Sequence, residues 1–160
     1  MQPELVVLVG NIGTGKSTVS KYYATDGYYV ICRDSLRSML GAGKYIFEKD
    51  TEEAIHDSTT NLFIHLLLQQ KNIVIDETNM DKRTRKRLIS IAKYDYKYKK
   101  ITAVIMPQLS KEDCIVNRMK DTLRGTPLHI WEEVWEKFNK RYQEPTLDEG
   151  FDEIIKRERK

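Results

Sequence analysis

The sequence is poor in the residues that staple, punctuate or span. It has two cysteines, Cys32 and Cys114, in no C-x-x-C pair and at no metal-ligand spacing. That excludes a disulfide framework and a cysteine-based zinc site. Both are expected to sit as small apolar residues in a reducing compartment. Four prolines and eight glycines are too few for long disordered tracts, and no internal repeat or low-complexity segment appears. His56, His65 and His129 show no ligand spacing and are assigned no chemistry. No apolar run approaches the roughly 20 residues of a membrane helix, and no leader pattern is visible. A cytoplasmic protein without membrane contact is therefore expected (host cytoplasm if a phage encodes it). The 27 basic residues exceed the 24 acidic ones by three. This mild excess fits a phosphate-rich partner and fits an ordinary solvated surface equally well.

What is present is an alternation. The 160 residues suit one domain with its own core, expected over 1–160. Leu5-Val6-Val7-Leu8-Val9 is a short β-branched run of the kind buried on both faces of a parallel sheet. A glycine loop follows, then a helix over about Lys16 to Ala24. Tyr28 to Ile31 reads as a second strand ending near Asp34, and Ser35 to Leu40 as a short helix. Thr51 opens a longer helix whose apolar face is Ile55, Leu62, Phe63, Leu66 and Leu67. Ile73-Val74-Ile75 and Ile101 to Met106 are further strands. Asp81 caps a helix carrying Leu88, Ile89 and Ala92, and Ser110 starts another. Thr126-Pro127 puts proline at the first position of a helix with Trp131, Val134, Trp135 and Phe138 on one face. Phe151 to Ile155 is a last short strand. Such an order predicts an α/β fold, a parallel sheet of about four to five strands flanked by helices. Ligands then bind at the carboxyl ends of the strands.

Gly10-Asn11-Ile12-Gly13-Thr14-Gly15-Lys16-Ser17-Thr18 satisfies G-x-x-x-x-G-K-[ST] and stands between a strand and a helix, the context this phosphate loop requires. Glycines let successive N–H groups turn inward toward phosphate oxygens, and the helix N-terminus adds partial positive charge. Gly10, Asn11, Gly13, Thr14, Gly15, Lys16, Ser17 and Thr18 are the candidate nucleotide ligands. Lys16 would reach the β- and γ-phosphates, and the Ser17 hydroxyl would meet Mg²⁺. This places the chain among P-loop NTPases. It leaves open a phosphotransferase, an NTP-driven machine or a nucleotide switch.

Arg33-Asp34-Ser35-Leu36-Arg37 places a carboxylate near a strand end with an arginine one turn on. Asp34 can serve as a general base or simply cap the helix. Arg37 can hold a phosphate bidentately or be solvated. The P-loop, this R-D-x-x-R and the Thr78-Asn79 pair after the third strand together resemble the phage-type 5′-polynucleotide kinases. The resemblance extends through Asn117-Arg118 and Arg124-Gly125-Thr126, like that family's lid, to Pro145 through Asp152. It covers nearly the whole chain.

The resemblance implies transfer of the γ-phosphate of ATP, with Mg²⁺, to the 5′-hydroxyl of single-stranded or end-exposed DNA or RNA. The implied roles are Asp34 as base on the hydroxyl, Arg37 on the acceptor's 3′-phosphate, Thr78 and Asn79 beside the acceptor, and Arg124 as an arginine finger in cis from a helical lid over about 114–130. Arg118 would join the nucleotide ligands and Asp76 would support the metal through water. Two departures stand out. Arg118 and Arg124 are farther apart than the family's lid arginines, and in Asp76-Glu77-Thr78-Asn79 the matching acid is shifted, so either Asp76 or Glu77 takes its place. A phosphatase D-x-D motif is absent, and kinase activity without 3′-phosphatase activity is expected.

The alternatives are specific. Ile73 to Glu77 also reads as a Walker-B strand, in which Glu77 would activate water for an ATPase. A small-molecule acceptor, or a hydroxymethylated base in DNA, would suit a P-loop kinase as well. Asn139-Lys140-Arg141-Tyr142 lacks the aspartate of a guanine-reading N-K-x-D. Lys82 to Arg87 is a basic stretch at a helix start, either solvated or facing nucleic acid. Tyr94, Tyr96 and Tyr98 alternate in the manner of packing at a sheet edge.

Overall fold

A computed structural model of the chain describes residues 2–159. Its five strands are β1 (Glu4–Val9), β2 (Tyr29–Ile31), β3 (Ile73–Ile75), β4 (Lys100–Ile105) and β5 (Glu153–Lys156). They form one sheet in the order β2-β3-β1-β4-β5, parallel throughout. Val7 of β1 lies opposite Ile75 on one side and Ala103 on the other. Six helices cover the sheet: α1 (Lys16–Thr25), α2 (Arg33–Leu40), α3 (Lys49–Leu68), α4 (Lys82–Ser90), α5 (Lys111–Met119) and α6 (Leu128–Arg141).

The unbroken apolar run of β1 has a simple cause, because both faces of the strand are covered and its side chains alternate between them. Leu5, Val7 and Val9 face a core that includes Phe63 and Leu67 of α3 and Ile89 of α4. Val6 and Leu8 face Val19 of α1 together with Val74 and Val104. Ile12, Ile115 and Trp131 make a third cluster, backed by Val134, Trp135 and Phe138. That cluster joins the P-loop to α5 and α6.

Several element boundaries differ from the sequence expectation, each for a local reason. α2 begins at Arg33 rather than Ser35, because the Arg33 N–H finds Glu77 Oε1 at 2.7 Å. A carboxylate from another strand end thus satisfies a donor that has no local cap. Asp34 therefore lies in the first turn of a helix. Pro127 is the residue before α6 rather than its first, with extended backbone. Leu62 is exposed, so the apolar face of α3 runs through Ile55, Phe63, Leu66 and Leu67 without it. Asp81 and Ser110 do cap α4 and α5, accepting from the Thr84 and Asp113 N–H groups. Tyr98 is buried, with its hydroxyl donating to the Lys71 carbonyl, while Tyr94 is exposed. Cys32 and Cys114 are free thiols.

The basic stretch on α4 is not uniformly surface. Arg85 is 0% exposed and forms a two-bonded pair with Glu149, at 2.8 and 2.9 Å. Its third contact is to the Asn79 carbonyl at 2.9 Å. Asn79, with a positive φ of 46°, in turn donates its side-chain amide to the Leu8 carbonyl at 2.8 Å. The turn after β3 is thus fixed from both sides. Arg85→Ala would leave Glu149 as a buried charge without its partner, and the expected loss is about 3–5 kcal/mol of unfolding free energy. Urea denaturation at neutral pH measures it. A loss no larger than the about 0.5 kcal/mol typical of a surface substitution would remove this pair from the core.

Candidate functional site

The P-loop joins the end of β1 to the first turn of α1. Gly13 and Gly15 have φ of 70° and 92°, the left-handed region that favours glycine. At Gly13 a Cβ would also stand 2.0 Å from the Cys114 carbonyl oxygen, so α5 rests directly on the loop. Asn117 of α5 strengthens that seat by donating to the Gly13 carbonyl at 2.9 Å. Within the loop, Thr14 Oγ1 and Lys16 Nζ both donate to the Asn11 carbonyl, at 2.8 and 2.7 Å. The Asn11 amide reaches the Trp135 carbonyl of α6. Burial pushes the Lys16 ammonium down to about 8; Asp76 opposes that shift and Arg118 adds to it. Ser17 and Thr18 are exposed at the start of α1.

The two acids after β3 separate in space. Asp76 is buried and accepts from Ser20 Oγ at 2.9 Å, while the same hydroxyl donates to the Ser17 carbonyl. It therefore lies beneath the first turn of α1, beside Lys16 and Ser17. Glu77 turns the other way and takes the Arg33 N–H and guanidinium at 2.7, 3.1 and 3.3 Å. Thr78 accepts the Gly10 N–H through its carbonyl. Asn79, expected beside an acceptor, directs its amide inward to Leu8.

Asp34 is the meeting point of the site. Its Oδ1 accepts from Arg37 at 2.7 Å and from the Tyr45 hydroxyl at 3.0 Å; its Oδ2 accepts from Arg124 at 3.1 Å and Arg118 at 3.3 Å. Burial alone would push this carboxyl up, but Arg124, Arg118 and Tyr45 outweigh it and hold the group well below the usual carboxylate range. The two arginines come from the end of α5 and from the short turn Thr122–Arg124. Arg118 stacks over Trp131 at 4.7 Å, and Arg124 over Tyr45 at 4.5 Å. Arg118 Nε and Arg124 Nη1 are buried with no hydrogen-bond partner among the described residues. Buried donors of this kind are costly unless an anion meets them.

Arg37 departs from its expected place on an acceptor phosphate. It is buried and commits each of its three nitrogens to a carboxylate, Nε and Nη2 to Glu52 at 2.9 and 2.7 Å and Nη1 to Asp34. Its position is that of a strut orienting Asp34. The structure thus gathers Lys16, Ser17, Asp34, Asp76, Arg118 and Arg124 at one edge of the sheet. Sequence reasoning missed Tyr45, Glu52 and the stacking role of Trp131. Glu52 carried only a helix signal, Trp131 reads as a core or lid anchor without a stacking partner, and Tyr45 lies just after Gly41-Ala42-Gly43, which reads as a flexible joint. No segment pattern links these residues to Asp34.

Among the described residues no group of three or more His, Cys, Asp and Glu side chains can hold a metal, and no helix is long and apolar enough to cross a membrane. The donor set beside the P-loop still fits Mg²⁺, which is commonly bound through one or two protein oxygens together with substrate phosphates. Ser17 and Asp76 are the groups that would hold it here.

A glycine loop between the central strand and a helix, a buried acid beneath that helix and two arginines poised above define a P-loop nucleotide-binding domain of the parallel α/β type. Residues 5–145 match the AAA domain family, and the chain belongs to it. It is 28% identical over 152 residues to a bifunctional polynucleotide phosphatase/kinase of Schizosaccharomyces pombe, a match covering 94% of this chain and 32% of the relative. The chain therefore spans about a third of that relative's length. Among solved structures it resembles a chain of a Pnkp1/Rnl/Hen1 complex at 27% identity and TM-score 0.57, covering 72% of this chain and 38% of that one. A fungal RNA kinase shares the fold at 19% identity and TM-score 0.60, covering 100% of this chain and 76% of that one.

A triphosphate held by Lys16 should bind with a pH dependence of definite sign, because the Lys16 pKa is low. Below about 8 the ammonium is already charged and binding needs no proton. Above it, binding must first restore the proton, so affinity should fall by up to about tenfold per pH unit. Calorimetric titration of a non-hydrolysable ATP analogue between pH 7 and 9, in buffers of different ionisation enthalpy, should show proton uptake rising toward one. Lys16→Arg should flatten the profile. Equal affinity and no proton uptake across that range would disprove the assignment.

Proposed function

We propose that the chain is an ATP-dependent polynucleotide kinase, transferring the γ-phosphate of ATP to a 5′-hydroxyl of DNA or RNA. One observation carries the reading: Asp34, a half-buried carboxylate, lies within hydrogen-bond reach of both lid arginines at the edge of a phosphate-binding loop. An ATPase that activates water has no use for a carboxylate so placed. Glu77, the residue that reading needs, is engaged with Arg33. The names of the relatives point the same way.

In the proposed reaction the P-loop N–H groups and Lys16 hold the β- and γ-phosphates. Mg²⁺, held by Ser17 and through water by Asp76, would supply charge neutralisation at the phosphate oxygens. Arg118 and Arg124 turn their unpartnered nitrogens to the γ-phosphoryl oxygens. As they leave Asp34 its pKa rises, which strengthens it as a base. The 5′-hydroxyl oxygen forms a bond to the γ-phosphorus, its proton passes to Asp34, and the bond to the bridging oxygen breaks to release ADP. Arg37, Glu52 and Tyr45 keep the carboxylate oriented while the lid arginines are away. We further propose that residues 1–160 act as one kinase domain, without 3′-phosphatase activity.

Transfer of labelled γ-phosphate from ATP to a 5′-hydroxyl oligonucleotide, beside a no-acceptor control, tests the reading. Label should appear at the 5′ end only when acceptor is present. Asp34→Asn should lower kcat by roughly 10²–10⁴-fold with ATP binding retained. Arg124→Ala should lower it by roughly 10³–10⁵-fold. ATP hydrolysis indifferent to the oligonucleotide would overturn the kinase assignment. Arg37→Ala separates two roles. An orienting strut lowers kcat for acceptors with and without a 3′-phosphate alike, whereas direct phosphate contact raises KM only for the phosphorylated one.

A further inference from the structure

A cleft of about 930 Å³ opens at the carboxyl ends of β2 and β3, lined by Ile31 and Ile75 at its base. It is near the upper end of the roughly 300–1,000 Å³ range of small-ligand pockets. The P-loop follows β1 and α5 follows β4, so the cleft lies over the other half of the sheet. Arg33 and Glu77 line it, and Asp34, the next residue, faces the lid. The Arg33–Glu77 pair therefore stands at the junction between Asp34 and the cleft.

The chemistry of its walls is divided. Phe63, Leu88 and Phe138 contribute apolar surface, while Arg83 and Arg87 of α4 and Lys140 and Arg141 of α6 are exposed cations along it. None of these four is in an ion pair with a described residue. The acids in the lining are already engaged, Glu77 by Arg33 and Asp81 by the first turn of α4. Like charges on two helices facing one groove repel each other, and Arg83 in the first turn of α4 also opposes that helix's N-terminus. An elongated polyanion offsets both costs.

We propose that this cleft is the track for the acceptor strand beyond its first nucleotide. Arg83 and Arg87 hold backbone phosphates from one wall, Lys140 and Arg141 from the other, and the apolar surface between them takes a base. The contacts are to phosphate, common to DNA and RNA, so they read length and charge rather than sequence. The inference rests on the kinase reading for its direction, since the strand must leave Asp34 past Arg33. It also explains a basic stretch in which Arg85 alone serves the core.

The test compares a nucleoside 3′-monophosphate with a single-stranded hexanucleotide, both bearing a 5′-hydroxyl. Arg83→Ala/Arg87→Ala should raise the hexanucleotide KM by about tenfold or more and leave kcat and the KM for the monophosphate unchanged. Fluorescence anisotropy of a labelled hexanucleotide, which needs no turnover, should show the slope of log affinity against log salt falling by about 1.4, from two lost contacts at about 0.7 each. Arg83→Lys/Arg87→Lys should keep the slope. An unchanged hexanucleotide KM and slope, or an equal rise for both acceptors, overturns the track. If the wild type phosphorylates neither acceptor, the kinase reading falls, while the salt slope still decides whether the cleft binds the strand.

Discussion

Donors from three stretches of chain converge on the carboxylate of Asp34, and the geometry of the site follows from that convergence. Arg37 and Tyr45 hold one oxygen, Arg118 and Arg124 the other. Taking such a carboxylate out of water is unfavourable, and only paired charge and full hydrogen bonding make it tolerable. The arginines are in the same position, although Arg124 also donates its Nε to Asp121 at 2.8 Å. Each side therefore fixes the other: a shift of α2 would strip two largely covered guanidiniums of a carboxylate, and lifting the turn carrying Arg124 would expose the half-buried Asp34 further. In the proposed reaction a nucleotide's phosphoryl oxygens would compete with Asp34 for the same two arginines.

The segment above the phosphate loop is less free than the word lid suggests. The Cys114 carbonyl lies against Gly13, Asn117 donates to the Gly13 carbonyl, and the Ile12–Ile115–Trp131 cluster packs behind them. α5 is thus part of the loop's support. Beyond α5 the connection from Lys120 to Pro127 is short, and its turn ends at Gly125 with a φ of 60°. A short hinge with two long cationic side chains needs only rotamer changes to exchange one anion for another, which is a smaller reorganisation than swinging a helix.

Much of this was legible in the sequence. The buried run Leu5 to Val9, the glycine spacing and the alternation of elements led to a parallel sheet with its ligand edge at the strand ends, because each follows from local periodicity and loop chemistry. Long-range pairing was not legible. Nothing in the spacing of Glu77 says that it caps a helix begun by Arg33, nor that Arg37 belongs to Glu52 rather than to a ligand. The basic run from Lys82 reads as one patch, yet one of its arginines is the most buried charge in the core. Charge patterning along a helix tells which residues share a face. It does not tell which face finds an acid from a turn 64 residues away.

That separation bears on how the chain is made. Arg85 lies inside the core beside β3 and α4, elements that hold the strand ends in register, and its carboxylate partner is synthesised long after it. At about 5–20 residues per second, the ribosome takes about 3–13 s to travel from Arg85 to Glu149. During that interval a folded α4 would bury a guanidinium without its counter-charge, so the nascent chain has reason to leave this helix undocked. The ion pair thus makes the docked position of α4 depend on Glu149, 64 residues along the chain from Arg85.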